Sequence, residues 1–137
     1  MVIGITGKSG SGKSFLSEKI KEKLEKLNKF CQTQMEIEID EIIASSNQTV
    51  ILDYALLPWM KQFKKCDIKM LVSASFEDRF KRVQERENVT KEYFENRDKK
   101  IAGYNEFKFD LEVDNSKPLN INDILDFIKS KQEHNND

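Results

Sequence analysis

Short apolar runs alternate with amphipathic stretches along this chain. Val2-Ile3-Gly4-Ile5-Thr6 is an unbroken run of the length of a buried strand. Leu16, Ile20, Leu24 and Leu27 recur at helical spacing and predict a helix from about Ser14 to Asn28, its lysines and glutamates facing solvent. Met35 to Ile39 reads as a second strand ending in Asp40-Glu41, with residues 41–44 starting a short helix and 45–49 forming a loop. Val50-Ile51-Leu52 is a third strand ending at Asp53, and 56–63 is irregular or helical. Ile68 to Val72 is a fourth strand and 77–86 a helix. Thr90 caps the next helix, over 91–102, with Gly103 as its stop. Leu111-Glu112-Val113 is a fifth strand, and 122–131 a last helix with Ile124, Leu125 and Ile128 inward. This alternation predicts an α/β fold in three layers around a mostly parallel five-stranded sheet. One domain covers residues 1–131, followed by a polar tail over 132–137.

The turn after the first strand carries the chemistry. Gly7-Lys8-Ser9-Gly10-Ser11-Gly12-Lys13-Ser14 satisfies G-x-x-x-x-G-K-[ST] in full, with a strand before it and a helix after it. Its glycines let the backbone wrap an anion, and its N–H groups form a nest for phosphate oxygens at the positive end of a helix. Lys13 has the reach for the β- and γ-phosphates and Ser14 a hydroxyl for Mg²⁺. The predicted cofactors are therefore ATP and Mg²⁺, held by Gly7, Ser9, Gly10, Ser11, Gly12, Lys13, Ser14 and Phe15. Asp53, an acid closing an apolar strand, is the expected second metal group beside Ser14. The result is a P-loop NTPase fold.

Composition narrows the options. The net charge of −1 excludes a globally basic nucleic-acid module. With no apolar stretch of membrane-spanning length and no signal-peptide pattern, the expected setting is the cytosol, with no nucleic-acid or membrane partner. Cys31 and Cys66 lie far apart and read as two buried free thiols. Lysine supplies 19 of the 23 basic residues, whereas all four arginines lie between 79 and 97. Arginine binds phosphate with a planar fork, so this cluster suggests a phosphate-gripping lid over about 86–103. Arg82 and Arg86 fall on one helical face. The plain alternative is surface ion pairing to Glu77, Asp78, Glu85 or Glu87.

The short length, the absence of an N-K-x-D motif and the arginine-rich helix favour a small kinase. The chain resembles the dephospho-coenzyme A kinases in several pieces. These are Ile5 to Ser14, then Val50-Ile51-Leu52-Asp53-Tyr54-Ala55-Leu56-Leu57, then Cys66-Asp67 with Phe80-Lys81-Arg82, Arg86 and Asn88 to Glu92, and last Val113-Asp114-Asn115-Ser116. The resemblance implies transfer of the γ-phosphate of ATP to the ribose 3′-hydroxyl of dephospho-coenzyme A. It implies that Asp40 or Glu41 is the general base, that Arg82 and Arg86 belong to the lid side, and that Asn115 lies beside the adenine.

The departures concern the acceptor. That family inserts a large substrate-binding region between its second and third strands, where this chain has only residues 41–49. Such a link is short for a parallel crossover. Ala55 and Trp59 replace a proline and a glutamate of the family pattern. Trp59, the single tryptophan, either stacks on an acceptor or covers the core; Tyr54, Phe63, Tyr93, Phe94 and Tyr104 are read as core. Two other readings stay open: a kinase of another nucleoside-like acceptor, and a nucleotide-binding module without catalysis. The oligomeric state is open between a monomer and a pair that completes the site.

Overall fold

The computed structural model describes residues 1–24, 27–30, 36–45 and 48–136. Its strands are β1 (Val2–Thr6), β2 (Leu27–Phe30), β3 (Thr49–Asp53), β4 (Ile68–Ser73) and β5 (Leu111–Asp114). They lie in one sheet in the order β2-β3-β1-β4-β5, every neighbouring pair parallel. The helices are α1 (Lys13–Lys23), α2 (Glu36–Ser45), α3 (Phe76–Glu87), α4 (Lys91–Asp98) and α5 (Ile121–Asn136). Two short 3-10 turns, Leu57–Trp59 and Lys61–Lys65, lie between β3 and β4. Among the described residues no helix is long and apolar enough to cross a membrane.

The expected strands over 2–6, 50–52, 68–72 and 111–113 are present, and the second is displaced. Residues 36–39, read as strand, open α2 instead, while Leu27 and Asn28, read as helix, belong to β2. The correction has a physical reason. The alternation of Glu36 to Ile39 runs on into Ile43, and Ile39 and Ile43 stand four apart. On a helix that spacing puts both on one face. Ile39 is fully buried and Ile43 packs on the same cluster. The correction also removes the short crossover. The link from β2 to β3 contains a full helix, as parallel strands require. Helix α1 ends where Leu24 turns extended, its N–H still bonded to the Ile20 carbonyl. Helix α4 stops at Asp98, short of Gly103, and α5 continues into the residues read as a tail. Met35 and Cys31 lie outside the described residues.

The pleat of β1 divides the core. Ile3 and Ile5 face α1 and α5, joining Leu16, Ile20, Met70 and Ile128. Val2 joins the opposite cluster with Ile39, Leu52, Leu57, Phe63 and Cys66. Residues alternate in direction along a strand, so Gly4 shares the Val2 face. A Cβ there would stand 2.7 Å from Cys66 Sγ and 2.8 Å from Leu57 Cδ2. The central strand thus lacks a side chain where the turn after β3 presses onto it. Burial pushes the Cys66 thiol up to about 12, which makes it a packing group rather than a nucleophile.

Gly4→Ala is expected to lower stability in urea unfolding by ~1–3 kcal/mol. Adding Cys66→Ala should recover part of that loss, giving a non-additive cycle, whereas strict additivity would contradict this packing.

Candidate nucleotide-binding site

The loop of residues 7–14 connects the carboxyl end of β1 to α1 at the middle of the sheet. Gly10 and Gly12 hold left-handed backbone with φ of 80° and 96°, conformations that glycine adopts without a Cβ penalty. Close approach fixes the glycines as well. A Cβ on Gly7 would run into the Val72 carbonyl, one on Gly10 would lie 2.5 Å from the Arg79 carbonyl, and one on Gly12 would collide with the Asn115 amide.

Four carbonyls of the loop accept hydrogen bonds from elsewhere in the chain or from the loop itself. Ser11 N donates to Lys8 O and Leu16 N to Gly12 O, at 3.1 and 3.0 Å. Arg82 Nη1 donates to Gly10 O at 2.9 Å and Asn115 Nδ2 to Ser11 O at 2.9 Å. Arg82 Nη2 also reaches Asn115 O at 2.8 Å, tying the loop to the end of β5.

Inside the loop lies a cavity of about 560 Å³. Lys8, Ser9, Lys13 and Ser14 form its floor, and Asp53 and Ala55 one wall. Residues of α3, α4 and the segment beyond close it: Arg86, Glu87, Phe94, Arg97, Asp98 and Ile101. Burial pushes the Lys13 ammonium below its ordinary value; Asp53 pulls it back up and Arg86 lowers it again. A half-desolvated ammonium beside a guanidinium is an environment that an anion stabilises.

The donor set suits Mg²⁺. Asp53 is buried, and Ser17 Oγ donates to its Oδ2 at 3.0 Å, which orients the carboxylate. Ser14 lines the same cavity. One hydroxyl and one carboxylate are what Mg²⁺ takes from protein when phosphates and water complete its octahedron. Among the described residues no cluster of three or more acids, histidines or cysteines could hold a metal by itself.

Helices α3 and α4 are tied together and to the loop by charge and by rings. Arg79 donates to both oxygens of Asp98, at 2.7 and 3.2 Å, and Lys8 reaches Asp98 at 3.5 Å. Glu87 holds Arg97 at 2.9 Å and Arg86 at 3.2 Å, setting the two guanidiniums side by side. Arg97 also reaches Ser9 Oγ at 3.4 Å, so it spans from lid to loop. Phe94, fully buried, packs on Phe76 and Phe80 at 5.2 and 5.6 Å between ring centres. Thr90 caps α4 by accepting from Tyr93 N.

Of the expected residues, Ser9, Lys13, Ser14, Asp53 and Arg86 line the cavity, and Gly7, Gly10, Ser11 and Gly12 belong to the loop itself. Arg82 is placed differently from its lid role: it anchors the outside of the loop and does not line the cavity. Asn115 likewise contacts the loop backbone, and Phe15 is exposed with Lys19 over its ring. Asp40 and Glu41 lie on α2 rather than at a strand end, and neither lines this cavity. Asp40 is engaged by Lys65 at 2.8 Å, Lys61 at 3.2 Å and Gln62 at 3.1 Å. The Lys65 hydrogen bond leads in bringing its carboxyl down to about 2. Sequence reasoning missed Lys8, Glu87, Arg97 and Asp98. The arginine cluster between 79 and 97 was the available signal for Arg97.

A profile of the KAP family P-loop domain matches residues 1–136. The chain belongs to the KAP family of P-loop domains. Membership brings nucleotide binding, with hydrolysis or transfer, and usually Mg²⁺. No curated protein matches. Among solved structures, TT1252 from Thermus thermophilus is similar with a TM-score of 0.74 and 16% identity, over 96% of this chain and 97% of that one. An uncharacterized protein from Eubacterium ventriosum is similar with a TM-score of 0.67 and 17% identity, over 95% and 96% of the two chains. Both likenesses concern the fold of this KAP-family domain.

The half-buried Asp98–Arg79 pair makes the contact between α3 and α4 acid-sensitive. Burial alone would raise the Asp98 carboxyl, but the Arg79 hydrogen bonds and charge, with Lys8, outweigh it and leave it below the ordinary value. A depressed carboxylate contributes stability that is present above about pH 4 and lost as pH falls through its folded value. Urea unfolding should therefore show stability falling below about pH 4. Asp98→Asn should cost ~1–3 kcal/mol at pH 7 and flatten that acid limb; an unchanged acid limb would contradict the pairing.

Proposed function

We propose that the protein is a Mg²⁺-ATP-dependent phosphotransferase that passes the γ-phosphoryl group to a hydroxyl of a small acceptor. Dephospho-coenzyme A is the acceptor favoured by the sequence resemblance. The observation that carries this reading is the pair of guanidiniums opposite Lys13, Arg86 and Arg97, on a lid that roofs the loop. Phosphoryl transfer is catalysed by positioning and by charge placed around the transferring group. The loop backbone and Lys13 bind the β- and γ-phosphates from below. Arg86 and Arg97 meet the same oxygens from above, and Phe94 and Ile101 shield them from water. Ser14 and Asp53 would hold Mg²⁺, which supplies further positive charge at the phosphates.

Asp40 and Glu41 are not carried forward as the general base. Asp40 is held by two lysines and Gln62, and neither acid lines the phosphate cavity. That observation favours, as the second reading, a unit that binds and hydrolyses the nucleotide without a dedicated acceptor.

The test is ADP release from Mg²⁺-ATP with and without dephospho-coenzyme A. Stimulation is expected, and Lys13→Ala should lower it by about 10²-fold or more. ADP release that no dephospho-coenzyme A or nucleoside stimulates, yet that still needs Lys13, would overturn transfer in favour of hydrolysis.

A further inference from the structure

Two large apolar side chains stay exposed on the segment that runs on from the wall of the phosphate cavity. Leu56 is 53% and Trp59 46% exposed, while the neighbouring Leu57 and Pro58 are buried. Leu56 directly follows Ala55, which with Asp53 forms a cavity wall, and Trp59 lies four residues beyond Ala55. The connection to that wall is tight. Tyr104 donates its hydroxyl to Ala55 O at 2.6 Å, and Thr6 Oγ1 donates to the same carbonyl at 3.0 Å. The Trp59 ring packs on Tyr104 at 5.3 Å and, edge to face, on Phe107 at 5.2 Å.

Its far side borders the lid segment. A Cβ on Gly103 would lie 3.7 Å from the indole, and Ile101 of that segment lines the cavity. The indole is therefore held in a fixed orientation and joined through Tyr104 to the Ala55 wall of the phosphate cavity, yet nearly half of it faces solvent. Packing that immobilises a ring without covering it lowers the entropy cost of stacking something on it.

We propose that Leu56 and Trp59 form an acceptor subsite for a planar heteroaromatic ring, the base of a nucleoside or nucleotide. This rests on the phosphotransferase reading and names the substrate class for it. The ring stacks on Trp59, and the acceptor's ribose hydroxyl extends past Ala55 towards the γ-phosphate. Stacking on an aromatic side chain tolerates any base, so Trp59 supplies affinity for a ring rather than a choice among bases.

Trp59 is the only tryptophan of the chain, so its fluorescence reports this position alone. The probes are dephospho-coenzyme A, the four ribonucleosides and their 5′-monophosphates. Each is titrated into the full chain loaded with Mg²⁺ and a non-hydrolysable ATP analogue, whose binding is first measured by calorimetry. Saturable quenching by at least one ring-bearing probe is expected, whereas ribose 5-phosphate should give none. For an acceptor that turns over, Trp59→Ala should raise KM about 5–100-fold and leave kcat within about threefold.

Quenching by the ATP analogue alone, not increased by any probe, would place the donor's base on Trp59 and overturn the proposal. So would analogue binding without any quenching by the probes. Failure of the phosphotransferase reading looks different: no acceptor stimulates ADP release, whatever Trp59 does.

Discussion

A loop that wraps an anion turns its N–H groups inward and its carbonyls outward, and the outward carbonyls must then find donors. Much of this structure follows from that constraint. Arg82 from α3 and Asn115 from the end of β5 supply two of the donors, from positions far along the chain. The glycines at 7, 10 and 12 let β4, α3 and Asn115 approach so closely that any Cβ would meet their atoms. The phosphate nest is thus built by three later elements as much as by its own motif.

The same helix that anchors the loop also lines the cavity. Arg79 and Arg82 are engaged before a ligand arrives, one with Asp98 and the other with the loop, while Arg86 one turn on reaches the cavity. Arginine 79 additionally lies over the rings of Phe76 and Phe94. Helix α4 is consequently fixed to α3 by a half-buried ion pair and an aromatic cluster, and Arg97 is carried to within reach of Ser9. Helices α3 and α4 and the loop are thus joined by charged contacts beside Lys13.

Four strands and the nucleotide loop were legible in the sequence because each imposes a strong local demand. Buried parallel strands need unbroken apolar runs, and the loop needs glycine at fixed offsets. Strand β2 makes no such demand: Leu27–Phe30 is an edge strand with a single neighbour, β3, and contains a lysine and an asparagine. Its place was taken by an alternation at 36–39 that a helix accommodates equally well. The site was legible where the backbone dictates residue type, and less so where tertiary placement decides. Spacing puts Arg82 and Arg86 on one face, yet only the crossing of α3 over the loop assigns one to the backbone and the other to the cavity. Asp40 beside Glu41 reads in the sequence as an acidic strand end, and helix α2 instead presents Asp40 to Lys61 and Lys65.

The central claim is that Arg86 and Arg97 complete the triphosphate site from above. Calorimetric titration of Mg²⁺-ATP and Mg²⁺-ADP into the wild-type chain and an Arg86→Ala/Arg97→Ala variant tests it most directly. The account predicts tighter binding of ATP than of ADP by the wild type. In the variant that preference should disappear, with ADP affinity within about threefold of wild type, because each charge-assisted contact acts on the terminal phosphate. A variant that keeps the full preference, or a wild type that binds neither nucleotide, would contradict it.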